Sequence, residues 1–193
     1  MNDPSASPLV QLLPRWGLHV GTIVLLSVLL AVSAKIEVPF WPVPMTLETL
    51  AVLGLAGFFG ARLIGLAILF WFAEGIAGLP VFAGPTAGPA YFLGPTGGYL
   101  AGFLLAALFV GWSADRGLRA RPLDLFGAMI AGNALIYVTG VTWLAHLIGF
   151  SKAVRLGLVP FLPADLVKSM LATAIIAAAS RLGSSHSTRG HGP

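Results

Sequence analysis

The 193-residue chain contains no cysteine. Disulfides, thiolate metal ligands and thiol nucleophiles are therefore excluded. Charge is scarce: Asp, Glu, Lys and Arg together make up 9% of the residues, where a soluble domain carries roughly 25%. Hydrophobic residues reach 57%, and the mean hydropathy is +0.90. Too few polar side chains are present to cover a soluble globule of this size. A soluble enzyme, an intrinsically disordered chain and a nucleic-acid binder are excluded on that ground. The pI near 10.0 is no nucleic-acid footprint, since it rests on a net charge of only +4. No G-x-x-x-x-G-K-[ST], H-E-x-x-H or G-x-S-x-G stretch occurs. The chain thus lacks a phosphate-cradling ATPase loop, a zinc-protease helix and a nucleophile elbow.

What is present is a series of apolar runs. A helix crossing a bilayer needs about 20 such residues. Six candidates fall at 16–34, 45–60, 63–79, 96–114, 123–148 and 162–180. They predict an all-α integral membrane protein with six transmembrane helices in one domain over 16–181. A polar leader at 1–15 precedes it and a flexible tail at 182–193 follows. No small-residue cleavage site leads from the first run into a soluble domain, so it reads as a retained helix rather than a signal peptide. With both termini cytoplasmic, Arg15, Arg62, Arg116, Arg119, Arg121, Arg181 and Arg189 fall inside. Lys35, Lys152 and Arg155 fall outside and Lys168 lies within a helix. That asymmetry follows the positive-inside rule and supports the short second span.

The unusual loops are all external in this topology. Val38-Pro39-Phe40-Trp41-Pro42-Val43-Pro44 interrupts an apolar aromatic stretch with three prolines, which excludes a helix and stiffens the segment. The next loop repeats itself: Gly84-Pro85-Thr86-Ala87-Gly88 returns ten residues later as Gly94-Pro95-Thr96-Gly97-Gly98, with Tyr91 and Phe92 between the copies. Irregular, uncharged backbone at membrane depth is tolerated where it lines a cavity. A lid over an outward-facing pocket is expected; the alternative is a tight turn packed on its neighbours.

Ionisable groups inside spans are costly and mark candidate sites. Asp165 and Lys168 share one helix face at i, i+3 spacing. Asp165 suits the positive end of its helix and Lys168 does not, so the lysine needs an acid or an anionic ligand. The alternative is an interfacial pair whose lysine snorkels to the headgroups. Glu48, just after Thr46, is either a pocket residue or a helix cap. Glu74 reads as an interfacial acid, and His146 as an interface residue. Asn133 and Tyr137, an i, i+4 pair, either contact ligand or bridge helices. Gly94, Gly98 and Gly102 recur every fourth residue, and so do Gly17 with Gly21 and Ser27 with Ala31; such stripes let helices approach closely.

Four stretches in order then carry a resemblance. They are Val38 to Leu50, Gly78-Leu79-Pro80-Val81-Phe82-Ala83-Gly84, Leu93 to Leu100, and Val159-Pro160-Phe161-Leu162-Pro163-Ala164-Asp165-Leu166-Val167-Lys168. Together they resemble the BioY family, the biotin-specific substrate-binding subunits (S components) of energy-coupling factor transporters, over about 16–181. The resemblance implies a six-helix fold holding one biotin near the outer face of a bacterial cytoplasmic membrane. It also implies a transmembrane coupling subunit and two ATP-binding subunits as partners, with no cofactor in this chain and ATP used by the partners alone. Glu48 stands where the family more usually has glutamine. Docking on the coupling subunit through small residues four apart on the first helix is matched here by Ser27 and Ala31, with Lys35 where a third would follow.

Biotin presents two ureido N–H donors, one ureido acceptor, an apolar ring and a carboxylate tail. Asp165 can accept the donors, and Lys168 can meet either the ureido oxygen or the carboxylate. Trp41, Tyr91, Phe92 and Tyr137 are candidate walls, and Thr86 and Thr96 candidate tail contacts. With Glu48, Thr46 and Asn133 they complete the expected ligand set; no metal site is expected. The rivals are an S component for another vitamin and an integral membrane enzyme acting on lipid. For the latter, Asp115 and Asp124 among the internal arginines are the available acids, and a solvated loop explains them equally.

Overall fold

A backbone in hydrocarbon must satisfy its own hydrogen bonds, and the apolar runs do so as helices. The computed structural model describes residues 15–187, with side chains from 18 to 181. Helix α1 (Arg15–Lys35) leads into a two-stranded antiparallel ribbon, β1 (Glu37–Val38) with β2 (Met45–Thr46), in which Glu37 faces Thr46 and Val38 faces Met45. The proline loop is the connection of this ribbon. Then follow α2 (Glu48–Ile76), a short α3 (Ala90–Leu93), α4 (Gly97–Asp115), a 3₁₀ turn (Leu118–Ala120), α5 (Pro122–Ile148), α6 (Phe150–Gly157) and α7 (Leu162–Ser187). Helix α7 continues past the expected end at 180. The first fourteen residues of the expected leader and the last six of the tail lie outside the described residues.

Among the described residues, five helices are long and apolar enough to cross a membrane. The multi-pass membrane character follows, together with the all-helical fold. The second and third runs meet without a loop: α2 is broken at Gly60 into two arms, where the sequence places the boundary between the spans. Gly60 has φ 78° and ψ 171°, a region open to glycine and strained for other residues. The two arms of α2 run in opposite directions. Along the first arm, Thr49, Gly54 and Gly57 meet Asp165, Ala172 and Ile176 of α7 in ascending order. Along the second, Ala61 and Gly65 meet Gly111 and Leu108 of α4 in descending order.

A polar latch holds the reversal. Asp115 accepts the backbone N–H of Ala61 at 3.0 Å and the Arg119 guanidinium at 2.9 Å. Arg119 Nε in turn donates to the Gly57 carbonyl at 2.7 Å. The carboxylate thus caps the start of one arm and the guanidinium the end of the other, meeting groups a helix leaves unsatisfied at its termini. Asp115, expected as a solvated loop acid or a catalytic one, does this structural work.

Helix α4 is central. In its apolar window 67% of residues are buried, against 28% in those of α1 and α7. It packs on α2 and α5, which also contact α7, while α1 leans on α2. The glycine stripe sets the α4–α5 approach: a Cβ on Gly98 or Gly102 would collide with Thr139, Trp143 or Ile136. The outward faces of α1 and α7, with Val24, Leu25, Val28, Val167, Met170 and Leu171 exposed, match a lipid solvent rather than water.

Candidate functional site

The proline ribbon, the glycine loop, both ends of α2, the N-terminal ends of α4 and α7 and the C-terminal half of α5 converge on one end of the bundle. Thr49 Oγ1 donates to Asp165 Oδ1 at 2.7 Å, and Lys168 Nζ donates to the same oxygen at 2.8 Å. The Tyr137 hydroxyl donates to Asp165 Oδ2 at 2.5 Å. Lys168 also donates to the Thr46 carbonyl at 2.7 Å and to Thr49 Oγ1 at 3.0 Å. All three ammonium hydrogens are thereby matched. Beside them Thr46 Oγ1 donates to Glu48 Oε2 at 2.7 Å and accepts from the Glu48 N–H at 3.2 Å. Asp165 and Glu48 are both buried. Two acids and one base out of water are expensive to desolvate, and satisfied partners are what make such a set tolerable.

These groups line a chamber of about 30 Å³, room for about one water. Its apolar walls come from Val43, Tyr99, Phe103, Ile136 and Phe161. Pro44 and Thr96 border it and also border a second, larger space, an outward-opening cleft of about 500 Å³. The cleft lies between the proline loop, through Phe40 and Pro42, and the glycine loop, through Gly84, Thr86 and Tyr91. Lys35 fixes the glycine loop by donating to the Phe82 and Gly84 carbonyls at 2.7 Å each. Glu37 fixes it from the other side by accepting the Gly84 N–H at 3.1 Å. Tyr91 stacks on Phe82 with ring centroids 4.7 Å apart, and Phe82 packs edge-on to Trp71 at 5.0 Å. Burial raises the pKa of the Tyr91 hydroxyl, with the Glu48 carboxylate adding to the effect. The hydroxyl is therefore neutral across physiological pH.

Of the residues expected from sequence, Thr46, Glu48, Thr96, Tyr137, Asp165 and Lys168 border the chamber, and Thr86 and Tyr91 border the cleft. Asn133 lies one turn below Tyr137, donating to Ser169 Oγ at 2.8 Å, and is not among the lining residues. The pairs Tyr137–Asp165 and Asn133–Ser169 are two successive rungs between α5 and α7. Trp41 is 77% exposed and borders neither space. Phe92 packs on Phe72 and Phe82, behind the cleft. Ser27 is buried against α2, with Glu74 Oε1 3.5 Å away, and Ala31 borders a shallow lateral groove. Sequence reasoning missed Thr49, Tyr99 and Glu37. The first two were within reach: Thr49 follows Thr46 and Tyr99 follows Thr96 at i, i+3. Tyr99 donates to the Gly157 carbonyl at 2.8 Å, tying α4 to the turn that delivers Phe161.

Fold and site define an integral membrane protein with a buried polar cluster and an adjoining cleft at one end of a helical bundle. A crystal structure of the S-component for biotin from an ECF-type ABC transporter superposes with TM-score 0.73 over 92% of this chain and 95% of that one, at 19% identity. The chain belongs to the BioY family, whose sequence model matches residues 15–185. Among curated relatives, the probable biotin transporter BioY of Pyrococcus horikoshii is 40% identical over 161 residues, covering 83% of this chain and 93% of that protein. Biotin transporter BioY2 of Lactococcus lactis is 35% identical over 149 residues, 76% of this chain and 81% of its own length. Biotin transporter BioY of Thermotoga maritima is 35% identical over 150 residues, with 77% and 88% covered.

Proposed function

We propose that this chain captures biotin for uptake and is a transport subunit rather than an enzyme. The observation that carries the reading is the buried Asp165–Lys168–Tyr137–Glu48 cluster beneath an outward cleft, in a chain whose relatives are named biotin transporters. Asp165 and Glu48 offer carboxylate oxygens to the two ureido N–H donors. Lys168 and Tyr137 stand beside them as donors for the ureido oxygen. Polar groups left unpaired in such a site penalise an analogue that lacks the ureido group. The bicyclic head exceeds the chamber's 30 Å³, so binding widens it at the Pro44–Thr96 throat.

The membrane has six crossings in this reading, with the two arms of α2 as separate spans and both termini cytoplasmic. The antiparallel arms support it, as does the placement of Arg62, Arg116, Arg119 and Arg121 at the end opposite the site. The location is the cytoplasmic membrane. An ATP-driven module of one transmembrane coupling subunit and two ATP-binding subunits supplies the energy, and this chain needs no cofactor of its own. Its coupling subunit docks on the exposed face of α1; Ser27, fully buried against α2, is not part of that face, and Ala31 is half-buried.

Equilibrium binding to the purified, detergent-solubilised chain tests the substrate, with thiamine and riboflavin as controls. Biotin alone should bind tightly. Binding of a different vitamin would make this an S component of another specificity. No binding to the folded chain would remove the Asp165 cluster as a biotin site.

A further inference from the structure

We propose that the site also accepts biotin whose carboxyl group is joined in an amide, including a biotinyl-lysine. This rests on the placement of the biotin head proposed above. With the head at the chamber, the five-carbon tail passes the Pro44–Thr96 throat and ends in the cleft. A site that selects a free carboxylate needs a cation or converging donors aimed at it. Among the residues bordering the cleft, the charged one is Glu37, an acid.

The two nearby cations are engaged elsewhere. Lys168 borders the chamber and not the cleft, so it stands at the head end, with the ureido group. Lys35 is directed to the Phe82 and Gly84 carbonyls and is not among the residues bordering the cleft. Among the described residues bordering the cleft, a tail carboxylate therefore meets one like charge and no unlike one, and the neutral hydroxyls of Thr86, Thr96 and Tyr91 can serve an amide carbonyl as well as a carboxylate. Conversion to an amide removes the repulsion and adds an N–H donor. One oxygen of Glu37 holds the Gly84 N–H; the second is left for such a donor, or for the ammonium of a lysyl extension. The space agrees: about 500 Å³ opening outward exceeds what a five-carbon tail fills. A built carboxylate site would reject the amide by a factor of ten or more, the loss typical of a charged hydrogen bond. This cleft should not.

The test is a set of dissociation constants for biotin, biotinamide and biocytin on the purified full chain, together with Glu37→Gln. Glutamine keeps the acceptor for the Gly84 N–H and removes the charge. Both amides should bind within about tenfold of biotin. Glu37→Gln should shift the biocytin-to-biotin affinity ratio about threefold toward biotin, the scale of an exposed charge contact. Tight biotin binding with a more than tenfold loss for both amides would overturn the proposal while leaving the biotin reading intact. An unchanged ratio in Glu37→Gln would overturn the role given to Glu37. Failure of biotin itself to bind would overturn the biotin reading and the proposal with it.

Discussion

The two ends of the bundle each carry a carboxylate–cation pair, at nearly the same distance. Asp115 and Arg119 meet at 2.9 Å, with side chains 48% and 37% exposed. Asp165 and Lys168 meet at 2.8 Å, with side chains 4% and 12% exposed. Distance does not separate them; surroundings do. The first pair is solvated and its further contacts are helix termini, the Ala61 N–H and the Gly57 carbonyl. Such a pair is worth little by itself and acts by fixing a reversal. The second pair is desolvated, held by two hydroxyls and a strand carbonyl, and beside a cavity. Charges kept at that expense, in a membrane, are the mark of a site.

Substitutions at the two ends should part along that line. Asp165→Asn should have the largest effect: biotin affinity falls about 100-fold, in the range for breaking a buried charged pair, while the chain still elutes as a folded species in detergent. Gly60→Ala should come next and be of the opposite kind. Its positive φ, and the collision of a Cβ with the Asp115 carboxylate, should lower stability by about 2 kcal/mol in a thermal melt, with biotin affinity unchanged. Tyr137→Phe removes one donor from Asp165 and should weaken biotin about tenfold. Arg119→Gln should be the mildest, lowering stability by about 1 kcal/mol or less with binding untouched.

Much of this was legible in the residues. Hydropathy located the starts of the five long helices to within a few residues, since hydrocarbon leaves so little choice of secondary structure. Asp165, Lys168 and Glu48 stood out because ionisable groups within spans are rare. The break at Gly60 falls where the second run ends, two residues before Arg62; what the residues do not show is that Asp115 and Arg119 latch the turn. The short elements carry little signal. The ribbon pairs two residues with two across the proline loop, too few to show an alternating pattern. Helix α6, eight residues long, falls below the length that marks a span. Trp41 and Phe92 were chosen as pocket walls from their aromatic character. Their side is set by the loop conformation, which turns one outward and packs the other behind the cleft. That all three Lys168 donors would be taken by Thr46, Thr49 and Asp165 was equally out of reach, as it depends on strand β2 arriving from a residue more than a hundred positions away.

The most direct measurement is a biotin titration of the wild-type chain, Asp165→Asn and Arg119→Gln side by side in one detergent. Affinity should fall about 100-fold in Asp165→Asn and stay at the wild-type value in Arg119→Gln. Wild-type affinity in a folded Asp165→Asn chain, or an equal loss in both variants, would contradict the assignment of the buried Asp165 cluster as the site that holds biotin.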